Sequence, residues 1–125
     1  MRVQIPVTLA DTRIADLLES AECGYWVEEF AARFPESAAE AENPVLGEYA
    51  DWAVAALTPG GEAVLTLSLV EGGFDMYVLD RAKIAAGLAL LADTPHWGDF
   101  RDENEDGTTG DVFLQLCLFG EVVFG

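Results

Sequence analysis

The spacing of apolar and polar residues predicts two strands joined by a tight turn in the middle of the chain. Apolar and small polar residues alternate over Ala63–Val70, and a second apolar run, Phe74–Leu79, follows a Gly-Gly turn. A period of two interrupted by glycines is typical of an antiparallel hairpin. Its core face is predicted to hold Leu65, Leu67 and Leu69. A similar alternation over Val3–Leu9 predicts another strand, which Pro6 places at a sheet edge or a bulge.

Helical spacing covers much of the remaining chain. A cap at Asp11 or Thr12 and apolar residues three and four apart predict a helix that runs to about Ala21. Tyr25–Phe34 repeats the pattern, with aromatic residues at every fourth position and charged residues pointing away. Further helices are predicted over Val45–Leu57, over Arg81–Leu91 after a cap at Asp80, and through Phe119 after a cap at Asp111. The inward-facing residues are predicted to be Ile14, Leu17, Leu18 and Ala21, then Trp26, Phe30 and Phe34, and then Ile84, Leu88 and Leu91.

Polar segments separate these elements. Residues 36–44 predict a loop or one exposed helical turn, residues 94–110 form a polar and acidic stretch, and Val122–Phe124 predicts a short terminal strand. The whole pattern predicts an α+β fold in which helices pack against a small antiparallel sheet. A length of 125 residues without an internal repeat or linker fits a single domain over residues 1–125.

The chain carries far more negative charge than a small domain needs. Twenty-three Asp and Glu residues face six Lys and Arg, which gives a net charge of −17, whereas a magnitude of about 2–8 is enough for solubility. An apolar content of 51% separates the chain from disordered acidic tails. A surplus of this size destabilises the fold through self-repulsion. Imitation of a nucleic acid, binding of metal cations and adaptation to high salt are three selective reasons for it.

The sign of the charge argues against several partners and locations. Because the sequence has no basic patch, direct binding to nucleic acid or to an anionic membrane is not expected. No run approaches the ~18 apolar residues of a membrane span, and the first residues lack the apolar run of a signal peptide. Cys23 and Cys117 are therefore expected to be reduced thiols, and the predicted location is the cytoplasm.

The acidic residues concentrate in two blocks, from Asp16 to Asp51 and from Asp93 to Asp111. On a helix, carboxylates three or four residues apart lie about 5–6 Å apart at Cβ, which is comparable with the phosphate spacing along a nucleic-acid strand. A solvated surface is the usual explanation of such runs, but the net charge favours a partner-binding surface. The candidate partner-binding residues are Glu19, Glu22, Glu28, Glu29, Glu48, Asp51, Asp99, Asp102, Glu103, Glu105 and Asp106. The first block is expected to dominate, because helices would hold it while Asp99–Asp106 would be a mobile loop.

Catalytic and metal-binding chemistry has little support in the sequence. His96 is the single histidine, and no nucleophile motif or phosphate loop is present, so neither an enzyme, nor a cofactor, nor a metal site is expected. The run Asp102–Gly107 matches the first half of a calcium loop, D-x-N-x-D-G. The closing carboxylate of such a loop falls at Phe113, which has no ligand oxygen. An acidic turn with local side-chain hydrogen bonds is the simpler interpretation.

Several segments resemble a family of small, uncharacterised proteins encoded by bacteriophages and prophages. They are Gly110–Gly125 at the end of the chain, Val7–Leu9 and Arg13–Leu18 near its start, the Tyr25-Trp26 pair with Glu28-Glu29-Phe30, and Leu79–Arg81. The similarity spans most of the chain and carries no catalytic motif. By analogy, a phage origin implies the class of small acidic inhibitors of host defence, in which anti-CRISPR and anti-restriction proteins often mimic DNA.

Composition and resemblance together predict an acidic DNA mimic that inhibits a bacterial defence system. The expected partner is a basic nucleic-acid-binding protein of the host, such as a Cas subunit or complex, and the expected mechanism is electrostatic competition with DNA. One alternative is a phage housekeeping protein that binds another protein through apolar surface around Trp52, Trp97 and Phe119. A calcium-binding module and a halophilic source are further alternatives.

The incomplete calcium loop generates a test in solution. We expect a calorimetric titration with calcium to show no site tighter than about 10⁻⁴ M, the weak end of the range for such loops. The physical reason is the apolar side chain of Phe113 at the closing position. Saturable binding in the micromolar range that disappears in Asp102→Ala would contradict this expectation.

Overall fold

A computed structural model describes residues 11–35, 49–68, 72–102 and 106–124. The helices are α1 (Asp11–Ser20), α2 (Asp51–Leu57), α3 (Arg81–Leu91), α4 (His96–Arg101) and α5 (Gly107–Phe119), and the strands are β1 (Glu29–Arg33), β2 (Glu62–Ser68) and β3 (Phe74–Leu79). Helices packed against an antiparallel sheet confirm the predicted α+β class. The strand predicted over Val3–Leu9 and the loop or helical turn predicted over residues 36–44 lie outside the described residues.

The three described strands form an antiparallel sheet in the order β1-β2-β3. In the central strand, Leu65 lies opposite Phe30 of β1 and opposite Tyr77 of β3, so one aromatic residue flanks it on each side. This pairing confirms the predicted hairpin. Leu65 and Leu67 are buried as expected, and Leu69 lies outside the described residues. Phe30 stacks on Trp52 of α2 with ring centroids 4.4 Å apart. The helix α2 therefore packs on the face of the sheet that carries Phe30 and Leu65.

The helices α1 and α3 follow the local rules that predicted them. In α1, the side chains of Ile14, Leu17 and Leu18 are buried, as their spacing requires. The helix α3 begins after Asp80, whose carboxylate accepts a hydrogen bond from the backbone N–H of Lys83 at 3.0 Å. These two helices and the hairpin confirm the corresponding sequence predictions, although Leu88 of α3 is only partly buried.

The helix predicted over Tyr25–Phe34 is wrong. The chain turns after Cys23, whose carbonyl accepts hydrogen bonds from the N–H groups of Trp26 and Val27, and then continues as β1. Burial along β1 alternates between exposed and half-buried residues, which is the period of a strand. The four-residue spacing that predicted a helix is also an even number, so it satisfies the period of a strand equally well. The prediction failed because pairing with β2, a contact distant in sequence, determines the conformation.

The boundaries of the later helices also differ from the predictions. The helix α2 begins at Asp51, and the predicted part over residues 45–48 lies outside the described residues. The polar stretch 94–110 contains α4 and the first residues of α5. Val122–Phe124 is not a strand in the structure. Asp111 does not cap α5, because the helix starts four residues earlier and is capped by Asp106, which accepts a hydrogen bond from the N–H of Thr109 at 3.0 Å.

Two glycines allow α5 to approach its neighbours closely. A Cβ added at Gly87 of α3 would lie 3.0 Å from the Cα of Cys117 and would overlap the Cys117 thiol. A Cβ added at Gly110 of α5 would lie 2.7 Å from the carbonyl oxygen of Leu17 in α1. Since atoms in protein interiors are close-packed, neither position has room for a larger side chain. These contacts position α5 against both α1 and α3.

The packing of α3 on α5 predicts the effect of Gly87→Ala. Alanine favours a helix by up to about 1 kcal/mol over glycine, but the overlap with Cys117 should outweigh this gain. We expect a net loss of about 1–3 kcal/mol in the free energy of unfolding, measured with urea. Gly24→Ala is the control, because a Cβ there meets nothing within 4 Å. A stability of Gly87→Ala equal to or above that of the control would contradict the close approach.

Candidate functional site

A buried carboxylate joins the turn before β1 to the second turn of α5. Asp111 is 8% exposed. Its Oδ1 accepts a hydrogen bond from the indole N–H of Trp26 at 2.7 Å, and its Oδ2 accepts one from the hydroxyl of Tyr25 at 2.5 Å. Gln115, one helical turn later, donates its side-chain N–H to Oδ1 at 3.1 Å. The carboxylate therefore binds two adjacent aromatic residues that lie more than eighty positions away in the chain.

Gln115 extends this network to the C-terminal segment. Its Oε1 accepts hydrogen bonds from the backbone N–H groups of Val123 and Phe124, both at 2.7 Å. Its Nε2 donates to the carbonyl oxygen of Phe124 at 3.2 Å, in addition to Asp111. The ring of Phe124 stacks on Trp26, with centroids 5.1 Å apart and planes 10° from parallel. The Gln115 side chain thus gives the backbone of residues 123–124 the hydrogen bonds that a neighbouring strand would otherwise supply.

The network changes the acidity of two neighbouring groups. Burial, together with the negative charge of Asp111, raises the pKa of the Cys23 thiol to about 11. Burial of the hydroxyl and its hydrogen bond to Asp111 raise the pKa of Tyr25 to about 12, although the residue as a whole is 59% exposed. Both groups stay protonated at neutral pH, so the thiol is a poor nucleophile and the phenol a hydrogen-bond donor. Burial also raises the pKa of Cys117.

An open cleft of about 520 Å³ lies beside the network. Its walls come from the segment between α1 and β1, the first turns of α5 and the C-terminal segment. The residues that line it are Glu22, Tyr25, Gly107, Thr108, Asp111, Val112, Gln115, Val122 and Phe124. Glu22 lies directly against Gly107, where a Cβ would overlap its side chain, and its backbone N–H donates to the Gly107 carbonyl at 3.1 Å. The cleft therefore combines two carboxylates with aromatic and aliphatic surface.

Every Lys and Arg side chain that the structure describes makes a polar contact within the chain. Arg33 pairs with Glu62 at 3.2 Å and Arg101 with Asp102 at 3.1 Å. Lys83 donates to the carbonyl oxygen of Val78 at 2.6 Å. The remaining two are Arg13, which donates to the carbonyl oxygen of Phe100 and lies over its ring, and Arg81, which contacts Asp11 and the carbonyl oxygen of Leu57. Most of the acidic surface is thus left without a neutralising partner among the described residues.

Three of the predicted partner-binding carboxylates accept hydrogen bonds from within the chain. Glu19 accepts a hydrogen bond from the backbone N–H of Ala50, just before α2, at 2.7 Å. Asp106 caps α5, and the backbone hydrogen bond from Thr109 lowers the pKa of its carboxyl group. The hydrogen bond from Arg101 lowers the pKa of Asp102 in the same way. These three carboxylates are partly occupied by structural contacts.

The structure brings the two acidic blocks together around α1. Glu19 at the end of α1 contacts the start of α2, and Glu22 lies against the start of α5, next to Asp106. Arg13 of α1 contacts Phe100 of α4, a helix within the second block that carries Asp99. We call this region the α1 acidic surface, and its exposed carboxylates are Asp16, Glu19, Glu22, Asp51, Asp99, Asp102 and Asp106. A loop over Asp99–Asp106 was predicted wrongly for its described part, because Asp99 lies within α4 and Asp102 directly follows it.

The remaining predicted residues fall elsewhere. Glu29 is the first residue of β1 and Glu28 directly precedes it, so the expectation that a helix spaces these two exposed carboxylates is wrong. They line a second cleft, of about 420 Å³, together with Thr66, Phe74 and Met76. Glu48, Glu103 and Glu105 lie outside the described residues. Asp111 was missed as a site residue, although two polar residues one turn apart in an apolar helix could have indicated a buried contact.

The aromatic residues of the predicted apolar interface pack mainly within the chain. Trp52 stacks on Phe30, Trp97 lies 5.6 Å from Phe100, and Phe119 contacts the rings of Trp26, Tyr77 and Phe124. Among the described residues, the two most exposed large apolar side chains lie on β3. Phe74 is 65% exposed and Met76 is 69% exposed.

The described residues were also compared with the requirements of a metal site and of a membrane span. Within the described ranges, no group of three or more His, Cys, Asp or Glu side chains is arranged to hold a metal ion. In the same part of the chain, no helix has the length and apolar character needed to cross a membrane.

No family model, curated protein or solved structure matches this chain. The resemblance to phage proteins stays a prediction, and the segments 25–30 and 110–124 on which it partly rests meet at the Asp111 network.

The network predicts a large cost for Asp111→Ala. The substitution removes the hydrogen-bond acceptor of the buried Trp26 indole, and a buried donor left without a partner costs about 1–3 kcal/mol. With the lost contacts to Tyr25 and Gln115, we expect a decrease of about 2–4 kcal/mol in the free energy of unfolding. Tyr25→Phe is the control, since it removes a single hydrogen bond and should cost about 0.5–1.5 kcal/mol. Equal urea midpoints for the two variants would contradict the central role of the carboxylate.

Proposed function

We propose that this chain is an acidic decoy that binds the nucleic-acid site of a basic host protein. The observation that carries the proposal is the α1 acidic surface, where carboxylates from both blocks converge while the described basic side chains make contacts within the chain. A net charge of −17 attracts a cationic groove over a long range and accelerates encounter. Competition with DNA or RNA for that groove would then inhibit the host protein.

The biological setting of the proposal rests on the resemblance to phage proteins. A phage protein that occupies a nucleic-acid site is useful when the site belongs to a defence system, so we propose an anti-CRISPR role. The partner would be a Cas subunit or complex in the cytoplasm of the host bacterium. The role needs no catalysis and no cofactor. Its electrostatic part does not depend on the phage origin and can be tested separately.

The structure changes which carboxylates support the proposal best. Glu19, Asp102 and Asp106 have partners within the chain, so part of their hydrogen-bonding capacity is already used. Asp51 and Asp99 are exposed in the first turns of α2 and α4, which hold them at fixed positions. A carboxylate fixed by a helix loses little entropy when a partner binds. These two residues are therefore the best positions for a test of the α1 acidic surface.

A second candidate function follows from the exposed apolar side chains of β3. Phe74 and Met76 lie beside Glu28 and Glu29, so this area combines apolar and acidic surface. Contiguous exposed apolar surface often marks a protein–protein interface. A housekeeping protein that binds its partner here would depend on apolar contact and would be much less sensitive to salt.

The decoy predicts how charge removal changes partner binding. We expect Asp51→Asn with Asp99→Asn to reduce retention of basic nucleic-acid-binding proteins from the host lysate by about threefold at about 0.1 M salt. Asp75→Asn with Glu121→Gln is the control, because it removes the same charge outside the α1 acidic surface. The control pair should retain nearly as much partner as the parent chain.

The salt dependence separates the two candidate functions. Binding through the α1 acidic surface should be lost near about 0.5 M salt, since screening weakens contacts between exposed charges. A partner that is retained at both salt concentrations, and equally by the parent and both variant pairs, would refute the decoy. Sensitivity of that retention to Met76→Ser would then favour the β3 interface.

A further inference from the structure

Asp111 is a buried carboxylate whose described partners are all uncharged. The phenol of Tyr25, the indole of Trp26 and the amide of Gln115 satisfy it with hydrogen bonds but bring no positive charge. Within the described residues, no Lys, Arg or His side chain contacts it. Burial of a charge is costly unless a group of opposite charge lies near it. A cation beside Asp111 would therefore be strongly favoured.

The carboxylate also keeps hydrogen-bonding capacity. A carboxylate offers about four acceptor positions. Two donors, from Trp26 and Gln115, share Oδ1, and Tyr25 alone occupies Oδ2. One acceptor position on Oδ2 is thus open, and Asp111 is among the residues that line the 520 Å³ cleft.

The other walls of the cleft indicate what kind of cation fits. Glu22 supplies a second carboxylate, held against Gly107 at the rim. The rings of Tyr25 and Phe124, with the aliphatic side chains of Val112 and Val122, supply apolar surface. A metal ion would need about six oxygen ligands in close reach, whereas two carboxylates flanked by aromatic surface suit a planar organic cation.

We propose that this cleft receives an arginine side chain of the basic partner. A guanidinium group carries five N–H donors in one plane, so it binds carboxylates through paired hydrogen bonds and also stacks on aromatic rings. The cleft lining offers both kinds of partner, in the carboxylates of Glu22 and Asp111 and in the rings of Tyr25 and Phe124. Lysine has a compact charge and lacks this planar fork. Arginine is also enriched among the residues that dominate the energy of protein interfaces. The inference rests on the proposed decoy function for its biological partner, but the cleft can be tested without that partner.

The direct test titrates the full chain with N-acetyl-L-arginine amide and follows the tryptophan indole N–H signals by NMR. The Trp26 indole donates to Asp111, so its signal reports on the carboxylate. Trp52→Phe and Trp97→Phe identify it by elimination. We expect a saturable shift with a Kd in the millimolar range, about 1–10 mM. The N-acetyl-L-citrulline amide, which has the same shape without the charge, should give no saturable shift at matched ionic strength.

Two single substitutions show whether the cleft or the overall charge is responsible. Glu22→Gln removes the rim carboxylate and should raise the Kd for the arginine amide at least about fivefold, because a charge-assisted hydrogen bond is lost. Glu121→Gln removes the same charge from an exposed residue outside the cleft lining and should change the Kd less than about twofold. Equal effects of the two substitutions, an equal shift with citrulline amide, or no shift at all would overturn the proposal.

The outcomes also separate this inference from the decoy function. Saturable arginine binding that Glu22→Gln weakens, together with salt-indifferent partner retention, would support the cleft and refute the decoy. Salt-sensitive retention that Asp51→Asn with Asp99→Asn weakens, together with no Trp26 shift, would support the decoy and refute the cleft. The two proposals therefore do not fail together.

Discussion

Asp111 accepts hydrogen bonds from Tyr25, Trp26 and Gln115, and Gln115 passes the same network on to the backbone of the C-terminal segment. The turn before β1, the helix α5 and residues 123–124 are held in place by this one set of contacts. A rotation of α5 by one residue would move the carboxylate by about 100° and leave the Trp26 indole without an acceptor. We infer that the polar network fixes the rotation of α5, while close packing at Gly87 and Gly110 fixes its distance from α3 and α1.

The charge of the chain follows from how its few basic residues are used. Arg13, Arg81 and Lys83 all donate hydrogen bonds to backbone carbonyl oxygens, so they have structural roles, and Arg81 also pairs with Asp11. The contacts of Glu19 and Asp106 with backbone N–H groups show that some carboxylates have structural roles as well. What remains is an exposed acidic surplus, part of which forms the α1 acidic surface. Exposed carboxylates that lie close together repel one another, and this repulsion destabilises the fold.

The sequence predicted those elements whose conformation is decided locally. The cap at Asp80, the apolar spacing of α1 and the glycines between β2 and β3 each act within a few residues, and the corresponding elements are present. The start of α5 was predicted wrongly because Asp106 and Asp111 are both good caps by residue type. Contacts with Tyr25 and Trp26 decide between them, and these lie far away in the sequence.

The candidate site was likewise predictable only in those features that do not depend on contacts between distant segments. Its charge and its two acidic blocks could be read directly from the sequence. The structural role of Glu19 could not, since its partner Ala50 lies 31 positions away. The cleft beside Asp111 was equally hidden, because three separate segments form its walls. A binding site that is assembled by folding requires the distances between segments, which periodicity does not supply.

Stability and binding are coupled in a chain with this charge. Folding brings the exposed carboxylates closer together than they are in the unfolded chain, so their repulsion destabilises the native state more than the unfolded one. A basic partner that binds the native state relieves part of that repulsion and adds stability through mass action, about 2.7 kcal/mol at a hundred times its Kd. Simple salt also stabilises the fold by screening, but it supplies no cation at a fixed position beside Asp111. At equal ionic strength, an arginine ligand should therefore stabilise the native state more than sodium does, and Glu22 should carry part of the difference because it lines the same cleft as Asp111.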